Sequence, residues 1–208
     1  MSSNKLKLVY YPIHGRALPI RLAFAVSGIE YENVFIPFAE WTQKKQTIPG
    51  GVIPVLEVGD KVLGQSNAIL NYVCGLAGLV PADPFQRAQV DEVLCSLEDY
   101  TSFISPSMRE PDQEKKMAMR KDIAETKLPP VLNHLEEFVA KHGKNGFAIG
   151  DKLSAADFKL FQFFWWLKSG LLDGIPTTIF DPLPHLVAFY DTFANIPAVK
   201  HHLETFNK

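Results

Sequence analysis

The sequence predicts a chain in two parts, an α/β first part followed by an all-helical second part. Three observations carry this. Strand and helix signals alternate up to about Val80. A turn-forming segment, Pro81-Ala82-Asp83-Pro84, then interrupts them. Beyond it strand signals vanish and apolar residues recur at helical spacing. With 208 residues, and roughly 150 residues per domain, the chain admits one large domain or two small ones.

The first strand is Lys5–Tyr11, in which Leu6, Leu8 and Tyr10 share one face and Lys7, Val9 and Tyr11 the other. Gly15 to Val26 reads as a helix. Pro19 falls in its first turn, where a missing N–H costs little, and Gly28 ends it. Glu30–Pro37 is a second strand. Ile53–Val58 and Lys61–Leu63 flank Gly59-Asp60, a strong hairpin signal. Ser66 to Leu76 is a helix expected to be capped by Ser66. The order is β-α-β, then a β-hairpin, then α, which is the thioredoxin-like order. Residues 1–80 are therefore expected to form a thioredoxin-like α/β domain.

Residues 81–208 are expected to form an all-α domain. Val90, Val93, Leu94, Leu97, Tyr100 and Ile104 keep helical spacing. Leu128 to Val139 does the same, with Pro129-Pro130 forcing a break or kink. Ser154-x-x-Asp157 resembles a capping box and opens a helix rich in Phe and Trp, expected to be core. Pro184 to Asn195 and Pro197 to Phe206 are shorter helices.

Composition excludes several classes. Hydrophobic residues make up 47% and charged residues 21%, as in a folded globular protein. The net charge of −2 excludes a general nucleic-acid-binding surface. No apolar run approaches the length of a membrane span, and no export signal is expected. Cys74 and Cys95 stand far apart, so a reducing compartment and a cytoplasmic location are the expectation. The six histidines fall at no chelating spacing, so no metal site is expected. Up to Val80 there are seven basic and five acidic residues, against 14 and 18 afterwards, and a mildly positive first domain suits a small anion.

Three segments could carry chemistry. Gly64-Gln65-Ser66-Asn67 opens a helix, whose free N–H groups and positive dipole end suit a carboxylate, although Ser66 could be a plain cap. In Gly50-Gly51-Val52-Ile53-Pro54, a cis Ile53–Pro54 bond would offer the Ile53 backbone to an extended peptide, whereas a trans bond would be an ordinary strand start. Tyr10-Tyr11-Pro12-Ile13-His14-Gly15-Arg16 links a strand to a helix at the carboxyl end of the sheet. Its two tyrosines face opposite ways, and spacing leaves open which one serves the site.

Over nearly its whole length, from about Lys5 to about Phe206, the sequence resembles the cytosolic glutathione transferases, nearest the sigma class with mu and pi close. The matching segments are Tyr10-Tyr11, Gly15-Arg16-Ala17, Ile20-Arg21-Leu22, Ala39-Glu40-Trp41, Ile53-Pro54-Val55-Leu56, Gln65-Ser66-Asn67-Ala68-Ile69 and Gly150-Asp151-Lys152-Leu153-Ser154-x-Ala156-Asp157. The resemblance implies an enzyme that conjugates glutathione, its co-substrate, to hydrophobic electrophiles, with no further cofactor. Tyr10 would hold the sulfur, with Arg16 supporting its electrostatics. Trp41 and Lys45 would meet the glycine carboxylate. Ile53, before Pro54, would pair its backbone with the cysteinyl part. Gln65 and Ser66 would hold the γ-glutamyl end. Asp99 would reach the γ-glutamyl amine held by the neighbouring subunit of a homodimer. Ser154 and Asp157 would belong to a helix cap that guides folding.

The sequence also departs from the family. His14 stands where many members have Arg, and Leu18 where many have Glu. Val52 replaces a frequent Lys or Gln, leaving only backbone binding at that position. Pro106 stands where prostaglandin D synthases of this class have Trp, which lowers the expectation of that isomerase activity. The electrophile is expected against Ile13, Phe38, Phe103, Ile104 and Phe206, in segments able to line an apolar cleft.

The implied chemistry is reasonable in size. Bringing a thiol pKa from about 8.5 to about 6.5 requires about 2.7 kcal/mol. A hydrogen bond to a charged acceptor contributes about 1.5–3 kcal/mol. One tyrosine hydroxyl could thus supply most of the effect. No cysteine lies near Tyr10, which disfavours a mixed-disulfide mechanism. The alternatives are a glutathione-dependent isomerase or peroxidase, and a non-catalytic ligand-binding or structural protein on the same fold.

Overall fold

The structure, a computed structural model, describes residues 5–206. The chain forms two compact units, Met1–Val80 with Pro197–Lys208, and Pro81–Ile196.

In the first unit, strand β1 (Leu6–Tyr10) leads through a 3₁₀ turn (Gly15–Ala17) into helix α1 (Leu18–Ser27). Pro19 lies in the first turn of α1, and Gly28 ends it in a left-handed conformation, φ 66°. Strand β2 (Glu32–Phe35) follows, then a short helix α2 (Trp41–Lys44) between 3₁₀ turns. Strands β3 (Val55–Val58) and β4 (Lys61–Gly64) form the hairpin around Gly59, φ 63°. Helix α3 (Ser66–Leu76) comes next.

The sheet order is β2-β1-β3-β4, with β1 and β2 parallel and the other pairs antiparallel. This is the thioredoxin-like arrangement that the order of signals predicts. Both faces of β1 are covered, so Leu8 and Val9 are both buried despite pointing opposite ways. Val9 packs with Ile36 and Val55, and the half-buried Val34, Trp41 and Ile48 close over them.

In one respect the start of α3 differs from expectation. The cap position belongs to Gln65, at φ 69° and ψ 116°, and makes no side-chain cap bond; Ser66 is the first helical residue. A serine at a strand-to-helix junction looks like a cap in sequence. Here β4 runs on to Gly64, and the sharp turn into the helix falls on Gln65.

The second unit contains α4 (Pro84–Ile104), α5 (Gln113–Asp122), α6 (Leu128–His142), α7 (Ala155–Lys168) and α8 (Pro184–Ala194). Asp83 caps α4 by accepting from the Gln86 N–H at 2.7 Å. Val90, Val93, Leu94, Leu97 and Ile104 are buried along one face of α4. A π-helical segment, Ile123–Lys127, joins α5 to α6. It lies just before Pro129-Pro130, whose missing N–H groups disturb the regular ladder there. The phenylalanines of the aromatic run on α7 are core, with Phe161 stacked on Phe193 at 4.7 Å and Phe164 packed on Phe180 at 5.0 Å, whereas Trp165 and Trp166 are half-buried.

The α7 cap is held by Asp157, which accepts from the N–H groups of Ala148 and Ser154, both at 2.7 Å, and from the Ser154 hydroxyl at 3.0 Å. Nearby, the buried Lys159 of α7 brings its ammonium to within 2.7 Å of Glu98 on α4.

The last helix, α9 (Pro197–Thr205), packs on α1 and joins the first unit. Helical spacing identifies α9 as a helix but does not identify its packing partner. Among the described residues no helix is long and apolar enough to cross a membrane.

Candidate active site

Strand register brings the candidate segments of the first unit to one end of the sheet. Tyr10 at the end of β1 pairs with Phe35 at the end of β2, and its C=O accepts from the Ile36 N–H at 2.9 Å. Antiparallel pairing sets Val9 opposite Val55, the first residue of β3, and Val55 opposite Gly64, the last of β4. The segments leading away from these positions therefore leave the sheet together: Tyr11 to Arg16, Ile36 to Trp41, Ile53-Pro54 and Gln65-Ser66.

Tyr10 is buried, 7% exposed, and its hydroxyl oxygen accepts from the backbone N–H of Arg16 at 3.2 Å. Burial pushes the phenol above its ordinary value. The Arg16 amide and the positive charges of Arg16 and Arg21 oppose this in part. Tyr10 is thus a neutral phenol at physiological pH. Because its oxygen already accepts one bond, its O–H proton remains available to an anion, and the accepted bond polarises it. The Arg16 side chain is exposed, while its backbone amide bonds the Tyr10 hydroxyl directly.

Tyr11 occupies the other face. Its ring stacks on Phe38 at 4.4 Å and meets Trp41 edge-on at 5.7 Å. The two tyrosine rings are 5.4 Å apart and tilted by 54°. Of the two, Tyr10 alone is buried with its hydroxyl against the turn that opens α1, which separates two residues that spacing leaves equivalent.

The remaining glutathione-site candidates of this unit are placed as follows. Trp41 is half-buried on the Val9–Val55 cluster. The exposed Lys45 extends its aliphatic chain over Gly51, where an added Cβ would stand 3.2 Å from Lys45 Cε. Gly51 itself has φ 60°. Val52 is exposed. The Ile53–Pro54 bond is cis. Ile53 lies outside the β1–β3 ladder, which ends at Val55, so its N–H and C=O take no part in that pairing. Gln65 is exposed and Ser66 is buried, at the N-terminus of α3.

The apolar candidates divide. Ile13 and Phe38 are 40% and 58% exposed at the same sheet end. Phe206 follows α9 in this unit, stacked on His14 at 4.3 Å. Phe103 and the exposed Asp99 belong to the second unit, on α4. Ile104 is fully buried, in line with Leu97 on the core face of α4. Ile104 therefore packs the helical core and does not line an open cleft, contrary to the sequence expectation. The seven-residue spacing from Leu97 carries that signal.

Sequence reasoning missed Arg21. It is fully buried, and its Nη1 and Nη2 donate to the backbone carbonyls of Ile13 at 2.6 Å and Tyr11 at 3.3 Å. Its Nε donates to Asn33 Oδ1 at 3.1 Å. Burial lowers its pKa to about 10, which leaves it charged at neutral pH. An arginine in an apolar helix looks like a surface residue in sequence; only the stretch of buried neighbours from Leu18 to Phe24 hints otherwise.

No group of three or more potential metal ligands comes together among the described residues. Residues 5–74 match the family model described as glutathione S-transferase, N-terminal domain, and residues 98–205 match the corresponding C-terminal domain. The chain is 31% identical to the hematopoietic prostaglandin D synthase of Gallus gallus, over 93% of this chain and 92% of that protein. It is 32% identical to a glutathione S-transferase P of Caenorhabditis elegans, over 95% and 91%. The solved structure of rat hPGDS complexed with a quinoline is similar at TM-score 0.84 and 30% identity, covering 96% of each chain.

Proposed function

From the premise that the chain belongs to the glutathione S-transferase family, we propose that it conjugates the thiolate of glutathione to hydrophobic electrophiles. The observation that carries this reading is the Tyr10 hydroxyl, buried and accepting from the Arg16 amide, which leaves its proton to donate to a sulfur anion.

In this reading the phenol stays neutral and donates to the thiolate, lowering the thiol pKa while the thiol proton leaves to solvent. The sulfur then attacks the electrophilic carbon. With a halo-nitroarene, a C–S bond forms and halide departs. Trp41 and Lys45 meet the glycine carboxylate, and the backbone of Ile53 binds the cysteinyl part. Gln65 and Ser66 take the γ-glutamyl end at the positive pole of α3. Asp99 reaches the γ-glutamyl amine across a homodimer, and the enzyme works in the cytoplasm without a cofactor beyond glutathione. Ile13 and Phe38, exposed at the sheet end, offer the electrophile an apolar surface.

Replacing Tyr10 by Phe tests the reading. Turnover of chlorodinitrobenzene at neutral pH should fall about 100-fold, consistent with losing a hydrogen bond to a charged group, while glutathione still binds. Unchanged turnover would remove Tyr10 from the mechanism.

Similarity to the prostaglandin D synthases favours a second use of the same thiolate, in glutathione-dependent isomerisation. Pro106, in the turn Ser105–Met108, departs from the residue expected for that reaction. Assays with prostaglandin, quinone and hydroperoxide substrates separate the two.

A further inference from the structure

Arg21 is a buried cation with no balancing acid beside it among the described residues. From β1 it is faced by Tyr10, with the guanidinium 5.9 Å from the ring. From β2 it is faced by Asn33 and by the Phe35 ring at 5.6 Å. Tyr31 lies just before that strand and bonds Asn33 at 3.0 Å. His14 faces it from the turn before α1, and His202 from α9. The Phe206 ring covers it at 4.4 Å. No carboxylate stands within ion-pair distance of it among the described residues. Taking a guanidinium out of water is costly unless its donors are satisfied and its charge is used. Its donors are satisfied by the carbonyls of Tyr11 and Ile13, within the turn that ends at Arg16.

We propose that Arg21 is a positioning residue for the reaction: its fork fixes the Tyr11–Arg16 turn that holds the Tyr10 hydroxyl, and its unbalanced charge favours the thiolate held there. This rests on the glutathione-transferase reading and deepens it. Two independent features support it. The same guanidinium ties down the carbonyls of Tyr11 and Ile13 in the turn, and a bound thiolate would supply a counter-charge that no described carboxylate provides. The aromatic cover of Phe206, Phe35 and Tyr10 keeps water from screening that charge and adds cation–π stabilisation in place of an ion pair.

The test titrates bound glutathione by its ultraviolet thiolate absorbance in the wild type, Arg21→Lys and Arg21→Met. Binding of S-methylglutathione, which has no ionisable sulfur, is measured in parallel. The expected result is a thiol pKa raised by about half to one unit in Arg21→Met, the size of a screened charge acting over several ångströms. Arg21→Lys, which keeps the charge but loses the fork, should show a smaller rise. S-methylglutathione should bind all three within about twofold. An unchanged thiol pKa in Arg21→Met, with S-methylglutathione still bound, overturns the proposal and leaves the functional reading intact. A wild-type thiol that titrates at its free value sinks both. If Arg21→Met does not fold, Phe206→Leu reads the same device, because it admits water to a guanidinium left in place. A rise of a few tenths of a unit is then expected, and no rise overturns the proposal.

Discussion

Gly15 lies so close under Tyr10 that a Cβ added to it would stand 2.7 Å from the phenol oxygen. Its φ of 40° also lies where side chains are rarely accommodated. The glycine therefore does two things at once: it lets the chain turn into α1, and it lets the hydroxyl reach the Arg16 amide. Gly15→Ala is expected to displace Tyr10 and to lower kcat/KM by about 10- to 100-fold, since a misplaced catalytic group loses most of its effect. Steady-state kinetics measures this, and a near-wild-type rate would mean that the hydroxyl position is not critical.

The two adjacent tyrosines should separate cleanly. Tyr10→Phe should raise the pKa of bound glutathione by about one to two units. Tyr11→Phe should leave it unchanged, because the Tyr11 ring contributes by stacking on Phe38. Titrating thiolate absorbance in both variants decides the assignment.

Gln65 holds a positive φ of 69° without being glycine, a conformation costing of order 1 kcal/mol or more. Such strain at the mouth of α3 has a use if the side chain meets a ligand. Gln65→Gly should leave thermal stability unchanged or slightly raised, while the KM for glutathione rises at least about tenfold from the lost side chain. A variant with unaltered KM would remove Gln65 from the γ-glutamyl site.

His14 and His202 are both held near a pKa of about 4, well below 6.5. Burial is the main cause. His202 and Arg21 add to it for His14, and Arg21 and His201 for His202. A folded-state pKa below the unfolded one means that protonation favours the undocked chain. The contribution of this contact is present above pH 6.5 and is lost as pH falls towards 4. Thermal denaturation should therefore show a falling midpoint over that window. A His14→Phe/His202→Leu double variant should show a flatter profile. Parallel profiles would locate the acid sensitivity elsewhere.

Asp157 is fully buried and accepts three hydrogen bonds at the α7 cap. Asp157→Ala leaves the Ala148 and Ser154 N–H groups without that acceptor. About 2–4 kcal/mol of stability should be lost, seen as a lower denaturation midpoint. Activity of the remaining folded protein at low temperature should be largely kept, since the cap touches no reacting atom.

The elements of this chain, and their order, follow from local rules. Alternation in Leu6–Tyr10, the Gly59-Asp60 turn and the glycine after α1 act on neighbouring residues, so the α/β arrangement of the first unit was legible in the sequence. So was the Ser154–Asp157 cap, whose partners lie three residues apart. Distant pairings were not legible. Whether Ile53–Pro54 is cis, which tyrosine is buried against the Arg16 amide, and that Arg21 lies beneath Phe206 all depend on segments far apart in the chain. Ile104 in the core of α4 and α9 docked on α1 belong to the same class. Hydrophobic periodicity reports that a face must be buried but carries no information about the surface that buries it, and burial is what determines the protonation of Tyr10 and the field of Arg21.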